Sequence, residues 1–192
     1  ASAPAFRHHE EGRPFVRVYQ PFELGGASQN WAIVQDQRGI LYVVDNTMTS
    51  PWLFRPSTVG ASLVVNALTK YIGGHGNALG GSVTDTGLFD WTRYPAIHDA
   101  YKGANPKLWA VTQIRKKGLR DWGGTLAPEQ AHHIAAGAET LALRMARTCA
   151  SAQAVAEFLA GHPKVRAVHY PGLAGHPQHA REGGQQRVER SR

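Results

Sequence analysis

Two apolar runs limit what this chain can fold into. ILYVV (40–44) and SLVVN (62–66) are short, rich in β-branched residues and free of polar/apolar alternation. A strand with one wet face alternates, whereas a strand buried on both faces does not, and the second habit belongs to parallel sheets covered by helices. The 17 residues from Asp45 to Ala61 give room for the crossover that parallel neighbours need, with a short helix starting after Pro56. The reading is an α/β fold. Chemistry in open α/β sheets collects beyond the carboxyl ends of the strands. There the sequence sets Asp45, directly after the first run, and Lys70, shortly after the second.

Composition narrows the classes. With 192 residues, 42% of them hydrophobic, the chain can build a packed core. No run of about 18 apolar residues is present, and the opening ASAPAFRHHEEGRP lacks the apolar centre of a signal peptide. A cytoplasmic protein is expected, with no membrane partner. The single cysteine, Cys149, excludes an internal disulfide and fits a reduced compartment. It falls in a helical apolar pattern, which reads as a core thiol rather than a nucleophile. The formal charge of +7 raises the question of nucleic acid, but QIRKKGLRD (113–121) has no interleaved aromatics and the tail REGGQQRVERSR mixes four Arg with two Glu. A solvated surface is the better account, and no nucleic-acid partner is expected.

Along the chain, residues 1–39 carry little periodicity beyond a short strand in FVRVYQPFEL (15–24). Residues 40–127 form the α/β region. Within it, 73–81 holds five glycines in nine positions, and DTGLFDWTRYPAIHDAYKGANPKLW (85–109) is aromatic and turn-rich and reads as a long loop or flap. From Pro128 to about Ala160, Ile134, Ala138, Leu141, Met145, Cys149, Ala152, Val155 and Leu159 recur at three- and four-residue steps, which predicts one long connecting helix over 128–161. Gly161 and Pro163 supply its stop. VRAVHYPG (165–172) then reads as a strand opening a small C-terminal unit (162–192) that ends in a polar tail.

The chemistry of the two strand-end residues suggests a cofactor. A lysine amine, when neutral, condenses with an aldehyde as a Schiff base. Pyridoxal phosphate is the common biological aldehyde for this purpose, and its ring nitrogen needs a carboxylate to keep its proton. Lys70 and Asp45 suit these roles, since neighbouring strands lie about 4.8 Å apart and one ring can bridge two strand ends. Thr69 adds a hydroxyl, and the glycines after Lys70 allow close backbone approach to a phosphate. The plainer reading stays open: a strand-end carboxylate often caps a turn, and most lysines are solvated. Competing motifs are weaker. GGHGNALGG is not G-x-G-x-x-G, because Leu79 stands where the third glycine is needed. His132 and His133 are adjacent on a helix and point about 100° apart, so they are not a metal-binding pair. His75 reads as a loop residue near Lys70.

VVDNTMTSPWLFRPSTVGASLVVNALTKYIGGHGNALGG resembles the signature region of the Cys/Met-metabolism pyridoxal-phosphate enzymes: the cystathionine γ-synthases, cystathionine lyases, methionine γ-lyase and O-acylhomoserine sulfhydrylases. The resemblance continues through LRDWGGTLAPEQAHHIAAGAETLALRMART and AVAEFLAGHPKVRAVHYPGLAGHPQH and covers roughly residues 40–179. It implies that Asp45 holds the pyridine nitrogen, that Lys70 forms the Schiff base and moves the α-proton, and that Thr69 helps bind the phosphate. Ala67 departs from the family, which usually has a serine three residues before the lysine. The family's N-terminal phosphate loop and stacking tyrosine are not recognisable in residues 1–39, nor is the arginine for the substrate carboxylate after HYPGLAGHPQH.

What the resemblance implies is part of an aspartate-aminotransferase-like fold in a longer enzyme: the parallel-sheet half of the cofactor domain and a helix leading to a small domain. The implied activity is γ-replacement or elimination on homoserine-derived or sulfur amino acids, with a small amino-acid substrate and a homo-oligomeric parent. The loop 85–109 hints at the sulfhydrylase or synthase branch. A non-catalytic association module and a basic phosphate-binding module are the alternatives.

Overall fold

A computed structural model describes residues 32–33, 41–177 and 179. The strand expected within FVRVYQPFEL and the polar tail from Arg181 onward lie outside the described residues. Four strands make one sheet: β1 (Ala32–Ile33), β2 (Val43–Asp45), β3 (Leu63–Ala67) and β4 (Gly81–Asp85), side by side in chain order. The two apolar runs form the parallel pair, with Val43 opposite Leu63, Val44 opposite Val64 and Asp45 opposite Val65. Antiparallel strands flank this pair, β1 on β2 and β4 on β3.

The parallel pair is buried from both sides, which explains its lack of alternation. On one face Leu63 joins Trp91, Ile97 and Ala110, with Leu41 and Val43 packed against them. On the other, Val44, Ala61 and Val64 gather under Tyr42 and Phe54. The crossover between the strands is shorter in helix than expected. It contains one turn of α-helix, α1 (Ser50–Leu53), and the helix expected after Pro56 is a single 3₁₀ turn, Pro56–Val59, closed by Gly60 at φ +83°.

The stretch 85–109, expected as a long loop or flap, is a loop wound only into short 3₁₀ turns, and it packs against the sheet instead of standing free. Its residues Trp91 and Ile97 are 2% and 4% exposed and supply one wall of the core. Phe89 and Tyr94 meet Trp91 edge-on, with ring centroids 4.6 and 5.8 Å away, the geometry aromatic rings prefer. The indole N–H of Trp91 donates to Asp85 Oδ2 at 2.7 Å, tying this wall to the end of β4. A helical stretch follows as α2 (Trp109–Gln113), a wide π-type turn (Ile114–Leu119) and α3 (Arg120–Trp122).

The helical pattern from Pro128 to Ala160 is realised as two helices, α4 (Pro128–Ala138) and α5 (Leu141–Ala160), broken at Glu139 and Thr140. Gly137 lies just before the break. A Cβ there would stand 1.9 Å from the carbonyl oxygen of Gly73, so α4 can only pack on that loop through a glycine. Glycine is a poor helix former, and the chain turns just after it, with the Thr140 amide on the Gly137 carbonyl. Residues 165–170, expected as a strand, form no strand, and the segment has no sheet partner among the described residues.

Candidate active site

Asp45 is the last residue of β2, and its partner in the parallel register is Val65. Five residues past Val65 comes Lys70, so both side chains issue from the carboxyl edge of the same strand pair. Asp45 is half-buried. Its Oδ1 accepts the backbone amide of Thr47 at 2.9 Å, and its Oδ2 makes no hydrogen bond among the described residues.

The turn after Asp45 is rigid. Asn46 is 1% exposed; its amide extends the strand ladder to the Val65 carbonyl at 2.8 Å, and its side-chain Nδ2 donates to the Phe54 carbonyl at 2.9 Å. The hydroxyl of Thr49 donates to Asn46 Oδ1. Ser50 is fully buried and adopts φ +56°, a left-handed conformation that a side chain opposes. Such strain, about 1 kcal/mol or more, persists where neighbours over-determine the backbone, and it clusters at functional sites.

On the other arm, the chain turns tightly beyond β3. The amide of Lys70 bonds the Ala67 carbonyl at 3.3 Å, Gly73 bonds back to Leu68 at 2.8 Å, and Gly74, at φ +74°, bonds to the Lys70 carbonyl at 2.7 Å. The Lys70 side chain projects into solvent and makes no hydrogen bond or ion pair among the described residues. The Thr69 hydroxyl oxygen accepts the Gly80 amide at 3.2 Å, which leaves its proton available to a ligand. The His75 ring bonds the Gly73 carbonyl at 2.7 Å and serves the turn.

Two residues that the sequence did not single out hold these arms. The Thr47 hydroxyl accepts the Ala67 amide at 2.8 Å, joining the turn after β2 to the end of β3. Arg144 on α5 reaches back to the lysine turn, where Nη1 donates to the Tyr71 carbonyl at 2.7 Å and Nη2 to that of Ile72 at 3.1 Å. The only sequence sign of either was a hydroxyl beside an aspartate and an arginine set among apolar helix residues. Two hollows, of about 460 and 580 Å³, lie elsewhere, the first lined by residues such as Ile97 and His98, the second by Val155 and Tyr170. The Asp45–Lys70 edge is an open shelf apart from both.

The Cys/Met metabolism PLP-dependent enzyme family matches residues 29–189. The chain belongs to this family. It is 40% identical over 161 residues to the O-acetyl-L-homoserine sulfhydrylase of Leptospira meyeri, an alignment covering 73% of this chain and 36% of that protein. It is also 40% identical over 149 residues to the L-methionine gamma-lyase of Pseudomonas putida, covering 77% and 32%. The chain thus spans about a third of the length of the curated relatives it matches. A crystal structure described as an O-acetylhomoserine (thiol)-lyase of Campylobacter jejuni, which carries a pyridoxyl-lysine phosphate, superposes with a TM-score of 0.66 at 33% identity, covering 76% of this chain and 38% of that one. The fold is therefore part of the PLP-dependent transferase fold, as the resemblance implied, and the cofactor of the family is pyridoxal phosphate.

The residues on the shelf fit that cofactor. An outward-facing amine, a carboxylate with one oxygen unpaired and a hydroxyl with its proton to donate are the donor set that an aldehyde, a protonated pyridine nitrogen and a phosphate require. Ala67 offers no side-chain hydroxyl to a phosphate at the end of β3. Among the described residues no helix is long and apolar enough to cross a membrane.

Proposed function

We propose that this chain supplies the attachment lysine, the ring-nitrogen carboxylate and part of the phosphate grip of a pyridoxal-phosphate enzyme of sulfur amino-acid metabolism. Its reaction class is γ-replacement or elimination on O-acylhomoserine, cystathionine or a related small amino acid. The observation that carries this reading is the parallel register of Asp45 with Val65, which gives the carboxylate and the Lys70 turn one shared sheet edge. The sulfhydrylases and γ-lyases among its relatives support the reaction class. A cytoplasmic homo-oligomer is the setting we assign to it.

When bound, pyridoxal phosphate supplies an electron sink for negative charge on the substrate α-carbon. Lys70 would hold the cofactor through its amine and would carry the proton at the substrate α-carbon. The Asp45 carboxylate would hold the ring nitrogen and so favour its protonated form. Asp45 Oδ1, held by Thr47, fixes the orientation of the carboxylate. The Thr69 hydroxyl would help hold the phosphate, through a charge-assisted bond stronger than a neutral one.

The test is a visible spectrum of the purified chain titrated with pyridoxal phosphate, followed by borohydride reduction and peptide mapping. Adduct on Lys70 is the expected result. A chain that shows no cofactor band and no Lys70 adduct at any concentration would defeat the proposal. Release of hydrogen sulfide or of an α-keto acid, assayed on O-acylhomoserines and methionine, separates replacement from elimination.

A further inference from the structure

We propose that Arg144 is the positioning residue for Lys70, fixing from helix α5 the turn that carries the amine. The inference rests on the reading of Lys70 as the attachment residue and adds a means of control to it. The Lys70 side chain has no partner of its own among the described residues, so the place of its amine is decided by the backbone below it. That backbone is gripped from outside at the next two residues, by the Arg144 bonds to the carbonyls of Tyr71 and Ile72. The same guanidinium donates through Nη2 to the Gly137 carbonyl at 2.7 Å and through Nε to Thr140 Oγ1 at 3.0 Å. One planar fork thus joins the lysine turn to the break between α4 and α5, across 72 and 73 residues of sequence.

Three features show that the turn is shaped around this side chain. Gly74 is left-handed at φ +74°, and a Cβ on it would fall 2.4 Å from the guanidinium carbon of Arg144. Gly74 also closes the turn on the Lys70 carbonyl. Gly73 and Gly137 approach so closely that neither the helix nor the turn could shift toward the other. The half-buried guanidinium has no carboxylate partner among the described residues, and its charge is met by carbonyl dipoles instead. A lysine could not reproduce this, because a single ammonium lacks the rigid fork that reaches several carbonyls at set angles.

The experiment uses the 192-residue chain as wild type, Arg144→Gln, Arg144→Lys and Thr140→Val. Each is checked for fold by circular dichroism, labelled with pyridoxal phosphate and borohydride, and mapped by peptide mass spectrometry. Amide hydrogen exchange of the peptide spanning 70–74 is measured without cofactor. Arg144→Gln is expected to lower the ratio of Lys70 adduct to surface-lysine adduct about tenfold, the weight of one charge-assisted hydrogen bond, and to speed exchange in 70–74. Arg144→Lys recovers part of both. Thr140→Val, an exposed site that threatens folding little, shifts both in the same direction by less. Wild-type selectivity and exchange in folded Arg144→Gln would overturn the role of Arg144 while Lys70 stands. So would Arg144→Gln and Arg144→Lys losing label alike and only in proportion to their unfolded fraction. A wild-type chain that never labels Lys70 would instead overturn the cofactor reading, and the role of Arg144 with it.

Discussion

The hydroxyl of Thr47 accepts the backbone amide of Ala67 at 2.8 Å, and through this bond the turn that orients Asp45 is fixed to the strand that leads to Lys70. Thr47 also gives its own amide to Asp45 Oδ1. A single residue therefore sets the carboxylate and joins the two halves of the shelf.

Thr47→Val keeps the shape of the side chain and removes the acceptor, leaving the Ala67 amide without a partner in a partly covered place. A loss of about 1–3 kcal/mol is expected, read as a lower denaturant midpoint with unchanged slope. Thr47→Ser should recover most of it. A midpoint equal to that of wild type would mean that water replaces the hydroxyl at no cost.

Lys70→Ala is expected to abolish the visible cofactor band and the borohydride-fixed adduct, while leaving the fold intact because the Lys70 side chain is exposed and makes no hydrogen bond or ion pair among the described residues. Label that persists, spread over Lys102, Lys107, Lys116 and Lys117, would show that the aldehyde was only sampling surface amines.

Asp45→Asn should keep the cofactor but reduce turnover by about tenfold to a hundredfold, the worth of one hydrogen bond to a charged group. An amide cannot favour the ring proton as a carboxylate does. Binding and turnover measured on the same preparation decide it, and unchanged turnover with cofactor bound would remove Asp45 from that role.

The two parallel strands and the residues at their ends were legible because burial on both faces writes an unbroken apolar run, and because such a run stops where polar chemistry can begin. Strand β4 was not. Its sequence GSVTD is half-exposed at the sheet edge and looks like the glycine loop before it. Trp91 was read as part of a flap since its neighbours are turn formers, and only the fold shows that Leu63 and Ala110 close over it. The break between α4 and α5 was hidden because apolar spacing runs straight through it. Thr47 and Arg144 act through partners 20 and more than 70 residues away, and no local pattern records such pairings.

Gly137→Ala tests that break. By helix propensity alone alanine should stabilise α4 by about 1 kcal/mol, yet its Cβ would meet the Gly73 carbonyl at 1.9 Å, and the backbone of the lysine turn would have to move. Overpacking of this kind costs typically about 1–3 kcal/mol or more, so net destabilisation is expected, together with weaker Lys70 labelling. Gly118→Ala is the control, since nothing lies within 4 Å of a Cβ there; it should be neutral or stabilising. Equal behaviour of the two variants in thermal melts would rule out the close approach.

Ala67 provides the sharpest test of how the phosphate is held. Ala67 lies two residues beyond Val65 on β3, and Val65 is the partner of Asp45, so the period of two along a strand puts the Ala67 methyl on the same face as the Asp45 side chain. A serine hydroxyl at 67 would emerge there, in reach of the group that Asp45 and Thr69 flank. The backbone bond from Ala67 to Thr47 is indifferent to the side chain and should survive the change. A hydrogen bond to a phosphate dianion is worth roughly 1.5–3 kcal/mol, so Ala67→Ser should tighten pyridoxal-phosphate binding by about tenfold to a hundredfold. The added hydroxyl would extend neither Lys70 nor Asp45, the residues proposed for the proton and the ring nitrogen, so turnover per bound cofactor should stay where it was. Titration of cofactor into both proteins, followed by assay at saturation, measures the two effects separately. Identical affinity would place the phosphate away from the end of β3, and a rise in turnover at saturation would mean that residue 67 acts on the reacting atoms rather than on the anchor.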